Sequence, residues 1–201
     1  NELNPVSLYA ETKIDCEKYL LSLATESFHP TSLRFGTAFG ISFRTRFDLL
    51  VNSFVYEALH HNEIVVFGAN MWRPYIHVAE MSSLILKILQ SDQNLITKEI
   101  FNAGITSENY TKEEVVNMIV KSIPKLKVSY PTDIDDKRNY RVDFTKLEKK
   151  IKPKFFKNVH DGIKELIFCF KNGILTEHDF EANNLEHLKI FFSKQENILS
   201  Q

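Results

Sequence analysis

The chain has 201 residues, 43% of them hydrophobic and 25% charged, a balance that fits one ordinary soluble domain or a large piece of one and excludes a disordered tail or a fibrous repeat. Its 25 basic and 26 acidic residues leave a formal net charge of -1, so no general pull toward nucleic acid or an anionic membrane is expected, and any phosphate must be met locally. Cys16 and Cys169 lie far apart and outside any CxxC spacing, which reads as two reduced thiols of a cytoplasmic protein and leaves no metal pattern. No apolar run reaches the ~18–20 residues that cross a bilayer.

The sequence begins Asn1-Glu2-Leu3-Asn4-Pro5, without an initiator Met, and runs at once into a helical pattern, as though it started inside a larger fold. Pro5 and Ser7 mark a helix start, and Ala10, Ile14, Leu20, Leu21 and Ala24 carry the helical period through residue 27. Thr31 to Phe35 is short and β-prone and closes at Gly36, so a strand and then a glycine-marked loop are expected. Apolar residues recurring at three and four over 47–60 predict a second helix, followed by a strand at 64–67. A helix over about 78–91, a strand at 99–103, a helix at 112–122 and a strand at 125–130 come next. Helices near 145–150 and 158–171 precede a polar amphipathic tail from 176, and 132–143 is a charged loop candidate. The lysines between 146 and 157 read as a solvated face.

This alternation indicates an α/β protein, yet the strands are few, short and widely spaced, which suggests the C-terminal part of a larger fold. The six glycines form neither GxGxxG nor GxxxxGK, so no phosphate-cradling loop is present in the sequence.

Tyr9 and Lys13 are four residues apart on the first helix and so share a face, where a fixed ammonium favours phenolate and could make the pair a general acid/base. Alone, Y-x-x-x-K is equally an amphipathic surface pair, and its neighbours must decide. Those neighbours, Asn4-Pro5-Val6-Ser7-Leu8-Tyr9-Ala10-Glu11-Thr12-Lys13, resemble the active-site stretch of extended short-chain dehydrogenases/reductases, in particular the NAD-dependent nucleotide-sugar epimerases and dehydratases. Ser32 to Gly40 looks like that family's following strand and loop. Trp72-Arg73-Pro74-Tyr75-Ile76-His77-Val78 with Glu80 resembles its R-[DP]-[YF]-[IV]-H-V-x-[DE] segment, and Asp136 to Asp143 with Phe144-Thr145-Lys146 is similar to its late segment. The four islands keep the family's order across about residues 4–170.

The resemblance implies that Tyr9 exchanges a proton with a sugar hydroxyl or carbonyl while hydride moves to or from NAD or NADP. Lys13 would hold the nicotinamide ribose, with Tyr9, Lys13 and Arg34 on the cofactor side. Thr37, where many members carry asparagine, and the arginines Arg73 and Arg138 would meet the diphosphate of a nucleotide sugar. Arg46 and Asn52, in an R-F-D-x-x-V-N run, are substrate-pocket candidates beside plainer readings, an Arg46–Asp48 surface pair and a helix cap at Asp48. His77 is expected to be structural, His60-His61 lacks a third metal ligand, and Trp72 is expected to pack beneath the arginine of its motif, Arg73.

The family's glycine turn, its acidic ribose ligand and its catalytic serine or threonine would lie outside this chain, so the cofactor's pyrophosphate site would too. The architecture expected is α/β, with 1–37 and about 80–98 as the remainder of a Rossmann-type NAD domain. About 38–79 and 99–175 would form a smaller α/β substrate lobe, and 176–201 a helical tail. An open first sheet edge calls for a missing N-terminal segment or a partner chain. The function expected is a nucleotide-sugar epimerase or dehydratase, inactive as this chain alone. Two alternatives stand: a truncated module that binds nucleotide sugars or forms a homodimer through the 7–27 helix, and a reductase of a non-sugar carbonyl, against which the two arginines argue.

Overall fold

The structure is a computed structural model that describes residues 3–131, 139–177 and 179. The chain enters through α1 (Leu8–Ser22), where Ser7 accepts the Ala10 amide as N-cap. The helix stops short of residue 27 because Thr25 takes over the backbone: its hydroxyl accepts from the amides of Ser27 and Phe28, and its own amide bonds to the Phe28 carbonyl. β1 (Ser32–Phe35) and β2 (Thr37–Phe39) then follow almost without interruption. β1 pairs in parallel with β5 (Ile100–Ala103), and β2 in parallel with β4 (Trp72–His77), so the chain changes sheets at Gly36.

The remaining elements are α2 (Leu50–His60), β3 (Glu63–Val65), α3 (Val78–Leu89), the single turn α4 (Gln93–Ile96), β6 (Asn109–Thr111), α5 (Lys112–Ser122), β7 (Lys127–Ser129), α6 (Thr145–Lys150) and α7 (Val159–Lys171). β6 adds antiparallel to β4, and β3 pairs in parallel with β7. The result is an α/β protein with mainly parallel pairing. Capping boxes start α5 (Thr111 with Glu114) and α7 (Asn158 with Asp161), which explains why the starts expected for these two helices hold within a residue. α2 begins at Leu50 rather than 47, since Asp48 spends its carboxylate on Arg46 and caps nothing. β2 falls where the sequence reading expected a loop, and β4 and β6 fall where it assigned no strand. They are three to six residues long, one contains Pro74, and only their mutual pairing defines them.

Two apolar cores result. The larger packs α2, α5 and α7 around Phe39, Ile64 and Tyr75, and the smaller gathers Leu84, Ile88, Phe101, Leu147 and Ile151 with Leu33 and Phe35. α7 approaches β2 and β4 closely because Gly162 has no side chain: a Cβ there would stand 2.4 Å from Phe39 Cε2. The lysine run is only partly a solvated face. Lys146 and Lys150 both bond to Glu99, pinning α6 beside β5, and their ammonium groups lie 5.1 and 6.0 Å from the Phe101 ring centre. Most of the tail from 176, and residues 132–138 of the charged loop, lie outside the described residues.

Candidate active site

α1, the β1–β2 crossing, the loop before α2 and the start of β4 surround a cleft of about 970 Å³, lined among others by Tyr9, Lys13, Thr37, Arg46 and Arg73. Tyr9 is 72% exposed in the first turn of α1, and the Lys13 ammonium stands 5.5 Å from its ring centre. The helical spacing therefore does bring the pair together on the face that opens into the cleft.

Across the opening, Arg46 donates to both carboxylate oxygens of Asp48, at 3.1 and 2.5 Å. That bond holds the Asp48 carboxyl below the usual range and Arg46 above its own. Asn52 does not line the cleft. It is 1% exposed; its Oδ1 accepts from the Gly40 amide at 3.0 Å, and its Nδ2 donates to the Arg46 carbonyl at 2.9 Å. Asn52 thus ties both ends of the loop that presents Arg46. Gly40 has φ +101°, and a Cβ there would sit 2.4 Å from His77 Nε2, so the loop can turn only at a glycine.

The far wall is formed by Arg73 of β4 and by Tyr140. Arg73 is buried, donates to the Trp72 carbonyl at 2.8 Å, and has its guanidinium 5.6 Å from the Tyr140 ring centre. The arginine over Trp72 is Arg141, 3.3 Å from its ring centre, and not the neighbouring Arg73, whose guanidinium lies over Tyr140. The Asn139 side chain accepts from the Trp72 amide, completing the clasp. Arg138 lies outside the described residues. Lys112, at the head of α5, reaches the cleft while donating to the Phe67 carbonyl.

Arg34 lines the cleft, but its guanidinium is turned onto Glu17. His77 is structural: Nδ1 accepts from the Ala79 amide, and Nε2 meets Glu165 at 2.7 Å. Burial pushes the His77 pKa down against the pull of that carboxylate, so the neutral ring with Nε2–H donating suits both partners. His60 stacks on Tyr56, 4.1 Å between centres. The sequence reading missed Glu17, Lys112 and Tyr140. Only Glu17 carried a local signal, since it extends the Tyr9–Lys13 ladder by one more turn.

The parallel pairs β1–β5, β2–β4 and β3–β7, with helices packed against them, make this an α/β fold of the Rossmann-like class. The family model for the NAD dependent epimerase/dehydratase family matches residues 1–104, and the chain belongs to that family. Among solved structures it is similar to the NAD-dependent NDP-hexosamine 5,6-dehydratase TunA of tunicamycin biosynthesis, at 18% identity and a TM-score of 0.71 over 85% of this chain and 55% of that one. The dTDP-glucose 4,6-dehydratase of Bacillus anthracis, solved with NAD, matches at 22% identity and 0.69 over 85% and 54%. MoeE5, solved with UDP-glucuronic acid and NAD, matches at 20% and 0.71 over 86% and 58%. The chain therefore spans a little over half the length of these structures.

Proposed function

We propose that this chain supplies the proton-transfer and substrate side of an NAD(P)-dependent nucleotide-sugar epimerase or dehydratase. The observation that carries the reading is a single cleft onto which Tyr9, Lys13, Thr37, Arg46 and Arg73 all open. In the oxidation half-step, the Tyr9 oxygen takes the hydroxyl proton of the sugar carbon that loses hydride, leaving a carbonyl, and it returns the proton in the reverse step. A bound nicotinamide supplies the hydride acceptor. Lys13 would hold the ribose beside Tyr9, while Thr37, Arg73 and Arg138 would meet the diphosphate and Arg46 would face the sugar side.

The fit to a dinucleotide is confined to its nicotinamide end, because none of the six glycines forms a pyrophosphate-binding turn. The reading therefore applies to an enzyme in which another segment or chain provides that cradle. We assign residues 1–37 and 80–98, with β5 and α6 packed against them, to the Rossmann side and the larger core to the substrate lobe, supported by the two separate cores. Two free cysteines fit a cytoplasmic setting.

In the enzyme that carries this chain, Tyr9→Phe is expected to abolish turnover of the nucleotide sugar while leaving its binding largely intact. Unchanged turnover refutes the assignment. A second reading, a non-catalytic module that binds nucleotide sugar or dimerises through α1, is favoured by Leu20 and Leu23, which stand 49% and 43% exposed on and beside that helix. A monomer in sedimentation, with no heat on titration of UDP-, GDP- or dTDP-sugars, excludes it.

A further inference from the structure

α1 carries the Tyr9–Lys13 pair, yet it buries no residue. Its inward stripe is Ala10, Ile14, Glu17 and Leu21, each only half-buried, and the polar member sits in the middle. Glu17 makes the strongest contacts along that stripe. Its Oε2 accepts from Ser32 Oγ at 2.6 Å and from Arg34 Nε at 2.8 Å, and its Oε1 accepts from Arg34 Nη2 at 2.5 Å. The Glu17 side chain is 9% exposed and that of Arg34 33%. Bidentate guanidinium–carboxylate bonding adds directional geometry that a sliding apolar contact lacks. Both donors come from β1, the strand that continues through Gly36 into Thr37 on the cleft wall. Because residues 9, 13 and 17 lie on one helical face, whatever fixes the rotation of α1 at Glu17 also fixes where Tyr9 and Lys13 point.

We infer that the Glu17–Arg34–Ser32 clamp is the positioning device of the Tyr9–Lys13 helix, and that Arg34 serves the site through Glu17 rather than by holding cofactor. A weakly buried helix held by one polar clamp at its centre can change its rotation without disturbing the two cores, so the clamp's loss acts on geometry before it acts on global stability. The inference rests on the proposed acid/base role of Tyr9, and its test separates the two.

Amide hydrogen exchange and thermal unfolding of the 201-residue chain are compared for Glu17→Gln, Arg34→Lys and the reversed pair Glu17→Arg/Arg34→Glu. In Glu17→Gln the amides of Leu8–Ser22 are expected to exchange about tenfold faster, with those of β4 and α7 and the thermal midpoint unmoved, and the reversed pair recovers part of the protection. In the enzyme that carries this chain, the same variant lowers kcat about tenfold or more at nearly constant KM for the nucleotide sugar. Exchange that rises throughout the molecule with a falling midpoint overturns the inference, because the clamp is then ordinary structure. Unchanged α1 exchange, or a wild-type kcat in Glu17→Gln, overturns it as well. An active Tyr9→Phe enzyme refutes the acid/base reading instead, whatever the exchange data show.

Discussion

Asn52→Ala tests whether the loop from Gly40 to Arg46 is held by one buried amide. The substitution removes the acceptor of the Gly40 amide at 3.0 Å and the donor to the Arg46 carbonyl at 2.9 Å, at a residue 1% exposed. The marginal third contact, Nδ2 to the Gly40 carbonyl at 3.5 Å, adds little. Leaving a buried backbone group unpaired costs about 1–3 kcal/mol, and the Arg46 carbonyl faces a part-buried environment where water offsets some of that loss. Together with the small void left by the amide, a destabilisation of about 2–4 kcal/mol is expected. With a urea slope of roughly 2 kcal/mol/M, the unfolding midpoint should fall by about 1–2 M. Equilibrium urea denaturation followed by circular dichroism measures this, and hydrogen exchange at residues 40–46 reads the loop itself. A midpoint shift below about 0.3 M, or lost sugar-nucleotide binding at unchanged stability, refutes the reasoning, the second because it places the amide on the ligand.

Tyr75 is fully buried, its hydroxyl has no hydrogen-bond partner among the described residues, and burial pushes its pKa up; Tyr75→Phe should be neutral or stabilising by up to about 1 kcal/mol, and a clear loss in thermal stability contradicts this. Burial raises the Glu108 carboxyl above 4.5, against the lowering effect of its bonds from the Val159 amide and Tyr110. That group's contribution is fully present below pH 4.5 and is lost as pH rises through the raised folded value. Glu108→Gln keeps an acceptor for Val159, so its thermal midpoint relative to the parent should improve as pH rises from 4 toward 7; a constant gap rejects the assignment. Glu17 has the opposite sign: the bond from Arg34 lowers its pKa, so its hold on α1 is present above pH 4.5 and is lost as pH falls through the folded value, which should appear as faster amide exchange over Leu8–Ser22 and not in the thermal midpoint. Trp72 is the single tryptophan, so Arg141→Ala, which removes the guanidinium 3.3 Å from its ring centre, should shift its emission to the red by exposing the indole; unchanged emission shows that the stack is absent in solution.

What the sequence determined by itself was local. Capping residues and periodic apolar stripes located α5, α6 and α7 within a residue, and the four-residue spacing placed Tyr9 above Lys13, because both depend on contacts within one or two helical turns. Three of the four motif islands, at 4–13, 32–40 and 72–80, fall within residues 1–104 that the family model matches, and the fourth, at 136–146, lies beyond it. The tertiary structure decided everything that joins distant residues. β2, β4 and β6 exist only through one another, since strands this short have no propensity signal strong enough to read alone. Asn52 stands in a motif that suggests a ligand contact, and the fold commits its amide to the backbone of Gly40 and Arg46. Arg34 looks like a charge available to a cofactor until folding sets Glu17 opposite it, 17 residues earlier in the chain. A side chain's chemistry is legible in sequence, but the partner that consumes it is chosen by which elements pack side by side.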